Sequence, residues 1–143
     1  MRRILLAFDG SESSKRAVEY IIEFAQIHAA TLEVHLINVQ REPSLYGEHV
    51  SGELIEQMQQ SLLATAAQAL EWPADELQEA GIAHKTHAAL GNVAERVSDA
   101  VKQLQCDTVV MGTRGLGTFS GLLLGSVANR VIHEVPVPVL LVK

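Results

Sequence analysis

The stretch TVVMGTRGLGTFSGLLLGSVANRVIH (residues 108–133) has the pattern of a strand, a glycine-rich loop and a helix in succession. Thr108–Met111 is a short apolar run of the kind that parallel sheets bury on both faces. Five glycines follow within the fourteen positions from Gly112 to Gly125. The residues after the loop have helical apolar spacing, carried by Val127, Ala128, Val131 and Ile132.

The same alternation of strand and helix extends over the whole chain. Besides Thr108–Met111, we predict strands at Ile4–Asp9, Leu32–Val39, Ile82–Ala88 and Val137–Val142. We predict four helices: residues 13–29, a long helix from Leu54 that Pro73 breaks or kinks, one capped by Asn92, and Ser126–His133. The pattern predicts a single α/β domain over residues 1–143, an open parallel five-stranded sheet with helices on both faces, as in Rossmann-like folds.

Composition excludes several classes of protein. Of the 143 residues, 48% are hydrophobic and 20% are charged, which is incompatible with intrinsic disorder. A net charge of -6 argues against nucleic-acid partners and anionic membrane surfaces. No apolar run approaches the ~20 residues of a membrane helix, and Cys106 is the single cysteine. We therefore predict a soluble, cytoplasmic protein without membrane insertion.

The glycine-rich run has the chemistry of an anion site. Glycines let a ligand approach bare backbone, and successive N–H groups can converge on one anion. The helix that begins near Ser126 adds free N–H groups and a partial positive charge, which suits phosphate. A glycine-rich loop that holds no ligand is the alternative. The run is not a Walker loop, because no lysine precedes Ser126.

The first and fourth strands are the most apolar, so we expect them to be central neighbours. In open α/β sheets, ligands bind outside the carboxyl ends of the strands, where the strand order reverses. This rule predicts a crevice between Asp9-Gly10 and the run that starts at Gly112.

Three segments resemble the universal stress protein family. Gly112-x-x-Gly115, nine residues and Gly125-Ser126 match that family's nucleotide-binding signature. The opening Ala7–Ser11 and the ending Val135–Val142 look like its first and last strands. The resemblance covers the whole chain, and it implies the strand order 3-2-1-4-5 and binding of ATP or a related adenine nucleotide.

The resemblance also assigns expected contacts. Asp9 would contact the ribose, Ala7 and the backbone of Val39 would border the adenine, and Met111 and Gly112 would line the ribose side. The phosphates would be held by Gly115, Gly125, Ser126 and Val127. Arg114 lies inside the loop, where pairing with a phosphate and simple solvation are both open.

No metal-ligand spacing links the six histidines, so we predict no metal held by the protein itself. Magnesium would instead be carried by the bound phosphates. No residue evidently positions an attacking water, which favours a nucleotide-dependent regulator over an efficient ATPase. The family resemblance implies that such a regulator acts in a stress response. Slow hydrolysis, a ligand-free interaction module and a flavodoxin-like flavin protein remain alternatives. Against the last, the flavodoxin phosphate loop follows the first strand, where Gly10–Ser14 is short and acidic.

The final strand, Val137–Val142, is nearly all apolar, and we expect it at a sheet edge. An exposed edge of this kind invites pairing with another chain. Pro136 and Pro138 lack N–H donors, so pairing should be strongest from Val139 to Val142. We predict a homodimer through this strand, in agreement with the family resemblance, besides a protein partner that the sequence does not identify.

Overall fold

The computed structural model describes residues 1–44, 49–115 and 124–143. Its centre is one parallel five-stranded sheet of order β3-β2-β1-β4-β5, which confirms the predicted architecture. The strands are β1 (Arg3–Ala7), β2 (Glu33–Gln40), β3 (Ala83–Leu90), β4 (Thr108–Gly112) and β5 (Val139–Val142). As predicted, the first and fourth strands are central neighbours, and the polar third strand lies at an edge.

The helices within these residues are α1 (Glu12–His28), α2 (Gly52–Ala69), α3 (Glu71–Glu79), α4 (Val93–Gln103) and α5 (Ser126–Glu134). The prediction of four helices was wrong, because the long helix is divided at Leu70 into α2 and α3. Pro73 is not the break. It is the third residue of α3, in the first helical turn, where a missing N–H costs no helical hydrogen bond.

Alternate residues of the central strands enter two separate cores, one on each face of the sheet. Ile4 and Leu6 of β1 pack on the face that α1 and α3 cover, whereas Leu5 packs on the face that α4 and α5 cover. All three side chains are fully buried. A strand covered on both faces must be apolar at every position, which explains the unbroken run at Ile4–Leu6.

Side chains that the sequence singles out as caps fix where two helices begin. Ser11 Oγ accepts a hydrogen bond from Ser14 N at 3.3 Å at the start of α1. Asn92 Oδ1 accepts from Glu95 N at 3.1 Å at the start of α4. Each cap satisfies an N–H group that has no partner within its helix. The predicted Asn92 cap is confirmed, and both caps follow directly on the carboxyl side of the sheet.

The last strand begins at Val139, two residues later than predicted. Its ladder starts where the Pro138 carbonyl accepts from Val109 N at 2.9 Å. In a parallel strand the N–H and C=O of one residue face the same neighbour. The N–H that Pro138 lacks would therefore face β4, so this proline removes no donor from the outer edge.

Among the described residues, no helix has the length and apolar character needed to cross a membrane.

Candidate functional site

The strand order reverses between β1 and β4, and the carboxyl ends of these two strands lie side by side at the place of the expected crevice. β1 pairs with β2 on one side and with β4 on the other. Ala7 and Met111 are register partners at that end. The chain leaves β1 through Asp9 and leaves β4 through Thr113, so the two segments lie beside each other. This is the switch point at which open α/β sheets bind ligands.

Asp9 lies on the crevice side of the turn that follows β1. Its Oδ1 atom accepts a hydrogen bond from Ser11 N at 2.9 Å, which fixes the carboxylate. A Cβ atom added to Gly115 would lie 3.0 Å from Oδ2 of Asp9. The structure therefore brings Asp9 and Gly115 into contact across the crevice, although they are more than a hundred positions apart in sequence. One carboxylate oxygen is engaged in the turn and the other faces the loop.

Gly112, the first glycine of the signature, is buried against the start of α1. An added Cβ atom would lie 2.2 Å from Ser13 Oγ and 2.8 Å from Ser14 N. No side chain fits at these distances, so the close approach of β4 to α1 requires glycine here. The expected ribose contact of Gly112 involves at most its backbone, and its lack of a side chain has a packing reason.

The two ends of the glycine-rich loop are held together by backbone. Gly125 N donates to the Thr113 carbonyl at 2.7 Å. An added Cβ atom on Gly125 would lie 3.3 Å from that carbonyl oxygen and 3.7 Å from Gly115 N. Gly115 and Gly125 therefore bring bare backbone to one place. The structure therefore brings these two glycines of the signature close together, with Asp9 on the opposite side of Gly115.

The helix α5 starts at this place without a side-chain cap. Its N-cap residue is Gly125, which has no side chain to accept from the first-turn N–H groups. Ser126 is the first helical residue and is exposed. Uncapped N–H groups at a helix start, with the partial positive charge of the helix end, favour an anion.

The expected adenine and ribose contacts share one face of the sheet. Ala7 and Val39 are partly buried apolar residues packed against the core on the α4 and α5 side, and so is Val127, an expected phosphate contact. Met111 belongs to that core and is 6% exposed. The structure thus gathers these four residues near the crevice as an apolar surface of the kind that ligand sites use.

Arg114 is held by its backbone. Its carbonyl accepts hydrogen bonds from Ser11 Oγ at 3.1 Å and Ser13 Oγ at 2.8 Å, both at the start of α1. The side chain itself is exposed. The residues between Gly115 and Leu124, which include most of the nine-residue spacer of the signature, lie outside the described residues.

A small cavity of about 40 Å³ beside the start of α5 is a feature that sequence reasoning missed. It is lined by Arg41, Asn92, Val93, Ala94, Ser126, Val127 and Arg130. The available signal was positional, since Arg41 follows directly on β2 and Asn92 lies just beyond β3. Strand order places both ends at the same edge of the sheet.

His35 and His87, which no spacing in the sequence links, meet on the sheet. His35 Nδ1 lies 2.9 Å from His87 Nε2, and His35 Nε2 lies 3.0 Å from Glu33 Oε1. Arg3 Nε donates to the other oxygen of Glu33 at 3.1 Å. His35 is buried, at 3% exposure. These four residues form a hydrogen-bonded chain across β1, β2 and β3.

Burial and neighbouring charges set the pKa values of His87 and Glu33 in this hydrogen-bonded histidine chain. Burial lowers the pKa of His87, and the nearby charges of His35 and Lys85 lower it further. Burial acts to raise the pKa of Glu33, but hydrogen bonds and charges from Arg3 and His35 outweigh it and hold that pKa below its usual value. The fold therefore favours a neutral His87 and an ionised Glu33.

Other reactive groups have ordinary structural roles. Burial raises the pKa of the Cys106 thiol to about 11, so the thiolate form is suppressed and this residue is a small core side chain. Within residues 1–44, 49–115 and 124–143, no three His, Cys, Asp or Glu side chains are grouped so as to hold a metal ion.

The model of the universal stress protein family matches residues 1–143. The chain belongs to this family. It is 34% identical over 142 residues to a universal stress protein of Thermus aquaticus, with 99% of this chain and 98% of the relative covered. A universal stress protein of Synechocystis, Sll1388, is 32% identical over 149 residues, with 99% and 97% covered.

Solved structures share this fold. The hypothetical protein MJ0577 superposes with a TM-score of 0.84 at 27% identity, covering 99% of this chain and 95% of that one. An Arabidopsis thaliana family member with AMP bound has a TM-score of 0.72, 23% identity and coverages of 100% and 92%. The Archaeoglobus fulgidus universal stress protein in complex with dAMP superposes with a TM-score of 0.63 at 19% identity, covering 100% of this chain and 98% of that one. A universal stress protein in complex with cAMP superposes with a TM-score of 0.66 at 23% identity, covering 99% of this chain and 97% of that one.

Proposed function

We propose that this universal stress protein binds an adenine nucleotide, ATP included, in the crevice between β1 and β4 and acts as a nucleotide-dependent regulator. The observation that carries the proposal is the meeting of Gly115, Gly125 and Asp9 around exposed backbone at the switch point. Structural neighbours described with AMP, dAMP and cAMP support the same ligand class.

Each part of the nucleotide has a matching surface. Ala7, Val39 and Met111 offer an apolar border for the adenine ring. The free oxygen of Asp9 can accept from a ribose hydroxyl. The backbone N–H groups of Gly115 and the first turn of α5 suit the phosphates.

Regulation suits this crevice better than rapid hydrolysis. Phosphoryl transfer needs a group that positions the attacking water, and Asp9 has one oxygen committed to Ser11 N. Magnesium would enter on the phosphates, with few ligands from the protein. A cytoplasmic location agrees with the single, buried Cys106, which has no partner for an intramolecular disulfide.

Replacing Gly125 with valine should weaken nucleotide binding about tenfold or more, because the added methyl groups fill the space next to Thr113 O and Gly115 N. The backbone at Gly125 has a φ of -67°, which valine tolerates. Calorimetric titration of AMP, ADP and ATP into both proteins measures the change. In the wild type, ATP at ~100 times its Kd should raise the free energy of unfolding by about 2.7 kcal/mol.

The exposed Gly52 provides a matched control, since an added Cβ atom there meets nothing within 4 Å. The Gly52→Val variant should bind nucleotides like the wild type. If the wild type binds none of the three nucleotides, the proposal is wrong and a ligand-free interaction module becomes the better description.

We also propose that two copies pair through the outer edge of β5. Pro138 and Val142 direct their carbonyls to β4, so the intervening Val139 and Leu141 direct their backbone groups outward. Light scattering should give twice 15.5 kDa. Leu141→Pro removes an outward donor and should increase the monomer fraction, whereas Leu141→Ala keeps that donor and should remain dimeric. A wild-type monomer at micromolar concentration would contradict the pairing.

A further inference from the structure

We propose that Asn38 is a positioning residue of the nucleotide site, which holds the end of β1 so that the Asp9 carboxylate is fixed for a sugar hydroxyl. This inference rests on the proposed function and concerns recognition of the ribose. It starts from a buried amide side chain of β2 that the glycine signature does not include.

Asn38 binds the residue that directly precedes Asp9. Its Nδ2 atom donates to the Phe8 carbonyl at 2.8 Å. Phe8 N donates in turn to the Ile37 carbonyl at 2.9 Å. The backbone of Phe8 is therefore fixed to β2 through both its N–H and its carbonyl, although Phe8 lies one residue beyond the end of β1. The chain continues directly to Asp9, so the position of Asp9 depends on the hydrogen bond from Asn38.

The chemistry of this contact requires an amide at position 38. A carbonyl oxygen can only accept, so the Phe8 carbonyl needs a donor. Asn38 Oδ1 accepts from Gln40 Nε2 at 2.8 Å, so the same side chain also supplies an acceptor. Asn38 is 5% exposed, and a buried polar group that loses its partner is not readily satisfied by water. An aspartate of the same shape would present an oxygen to the carbonyl, and a leucine would present no polar group.

Asp9 is held from both directions along the chain. On the amino side, Phe8 is fixed by Asn38, and its buried ring stacks on Trp72 with the ring centroids 5.9 Å apart. On the carboxyl side, Ser11 N donates to Asp9 Oδ1 at 2.9 Å, which leaves Oδ2 for a ligand. A carboxylate fixed in this way is an acceptor whose direction is set before the ligand arrives, and such preorganisation favours a ligand that has a hydroxyl at the matching place.

The expected consequence is selectivity at the sugar. Without a donor at position 38, the Phe8 carbonyl loses its partner and the turn at Asp9 loses its hold on the amino side. The proposed contacts to the base and the phosphates involve other groups. Loss of the Asn38 hydrogen bond should therefore weaken the part of the affinity that the sugar hydroxyls supply, and a nucleotide without these hydroxyls should bind as before.

The test is calorimetric titration of ATP and of 2′,3′-dideoxy-ATP, which lacks both sugar hydroxyls, into the wild type and Asn38→Leu. The wild type should bind ATP ~10-fold more tightly, the scale of a hydrogen bond to a charged group. Asn38→Leu should reduce this preference to about twofold or less, through weaker binding of ATP. Asp9→Ala should reduce it equally, and the double variant should show no further change, because both substitutions act on one hydrogen bond.

Two further variants separate positioning from a general loss of structure. Gln40→Leu removes a neighbouring amide on the same face of β2 but keeps the donor to Phe8, so it should retain the wild-type preference for ATP. Asn38→Asp keeps the shape of the side chain and the acceptor for Gln40 but cannot donate when ionised. It replaces Asn38→Leu if the leucine variant does not fold, and its preference for ATP should fall in the same way.

The outcomes distinguish this inference from the proposed function. An unchanged preference in Asn38→Leu, or equal losses for the two nucleotides, would give Asn38 a purely structural role and overturn the inference. Equal binding of both nucleotides by the wild type would overturn it together with the ribose contact of Asp9, while nucleotide binding stands. Absence of any nucleotide binding by the wild type would overturn the inference and the proposed function together.

Discussion

Replacing Gly112 with alanine should lower the free energy of unfolding by about 3 kcal/mol, the upper range for an overpacked core position. The added Cβ atom would lie 2.2 Å from Ser13 Oγ, 2.8 Å from Ser14 N and 2.9 Å from Ser13 C. The hydroxyl could rotate away, but the two backbone atoms belong to the first turn of α1. Relief of this steric clash would require β4 and α1 to move apart.

This cost has a single physical cause. Gly112 is not among the glycines with positive φ, so an alanine finds no backbone strain at this position. The start of α1 is also fixed from two sides, because Asp9 accepts from Ser11 N and Ser13 Oγ donates to the Arg114 carbonyl. Movement of the turn would break these hydrogen bonds.

Urea unfolding of Gly112→Ala and Gly52→Ala distinguishes the clash from a general effect of alanine. Gly52 begins α2 with open space around it, so its alanine variant should be neutral or slightly more stable. The Gly112 variant should have a transition midpoint roughly 10 °C lower in a parallel thermal scan. Equal stability of Gly112→Ala and the wild type would show that the approach of β4 to α1 is looser than described.

Local sequence patterns predicted most of this fold, because each pattern depends on the burial and hydrogen bonding of its own segment. The apolar run at Ile4–Leu6 indicates a strand that is buried on both faces. Ser11 and Asn92 are typical of residues at the start of a helix. The polar β3 reports an edge. The division at Leu70 was missed because Pro73 is the stronger signal in the sequence, although its position in the first turn of α3 is tolerated.

The residues of the candidate site that belong to the glycine signature could be predicted from the sequence. The residues that meet only through strand register could not. Gly115 and Gly125 carry a spacing that can be recognised in the sequence. The cavity at Arg41 and Arg130 depends on where separate strands and a helix end. The glycines of the signature also differ in their surroundings. Gly112 is required by the close approach of α1, whereas Gly125 lies against the backbone of Thr113 and Gly115.

Register also explains why the histidine chain was missed. His35 pairs with Lys85 and His87 pairs with Ile37, so the two histidines meet diagonally across β2 and β3. The connection between these strands includes α2 and α3, and no short turn fixes the register. A shift of one residue would send either side chain to the opposite face.

Acidification from pH 8 to pH 5 should lower the free energy of unfolding, because protonation of His87 is less favourable in the folded protein than in the unfolded one. An ionised Glu33 can only accept, so His35 Nε2 carries a proton toward it. In the neutral pair, His35 Nδ1 accepts from His87 Nε2. Protonation of His87 adds a charge in this partly buried site, and burial together with the charges of His35 and Lys85 opposes it.

The sign follows from the direction of the pKa shift. The pKa of His87 is lowered in the fold, so the unfolded chain binds more protons over the interval between the folded and unfolded pKa values. Its contribution is complete above the unfolded value near 6.5 and is lost as the pH falls toward the folded value. The lowered pKa of Glu33 acts in the same sense at a lower pH, because protonation of that carboxylate removes the acceptor for Arg3 and His35.

Urea titrations at pH 8, 7, 6 and 5 measure this loss, and two variants of β3 locate it. His87→Gln keeps an amide donor for His35 Nδ1 but does not titrate, so its stability should vary much less between pH 7 and pH 5. His84→Gln is the matched control, because the ring of His84 contacts the Ile82 carbonyl at 2.9 Å and lies outside the chain. It should retain the wild-type pH dependence. A wild-type stability that is constant from pH 8 to pH 5, or an unchanged slope in His87→Gln, would contradict this role of His87.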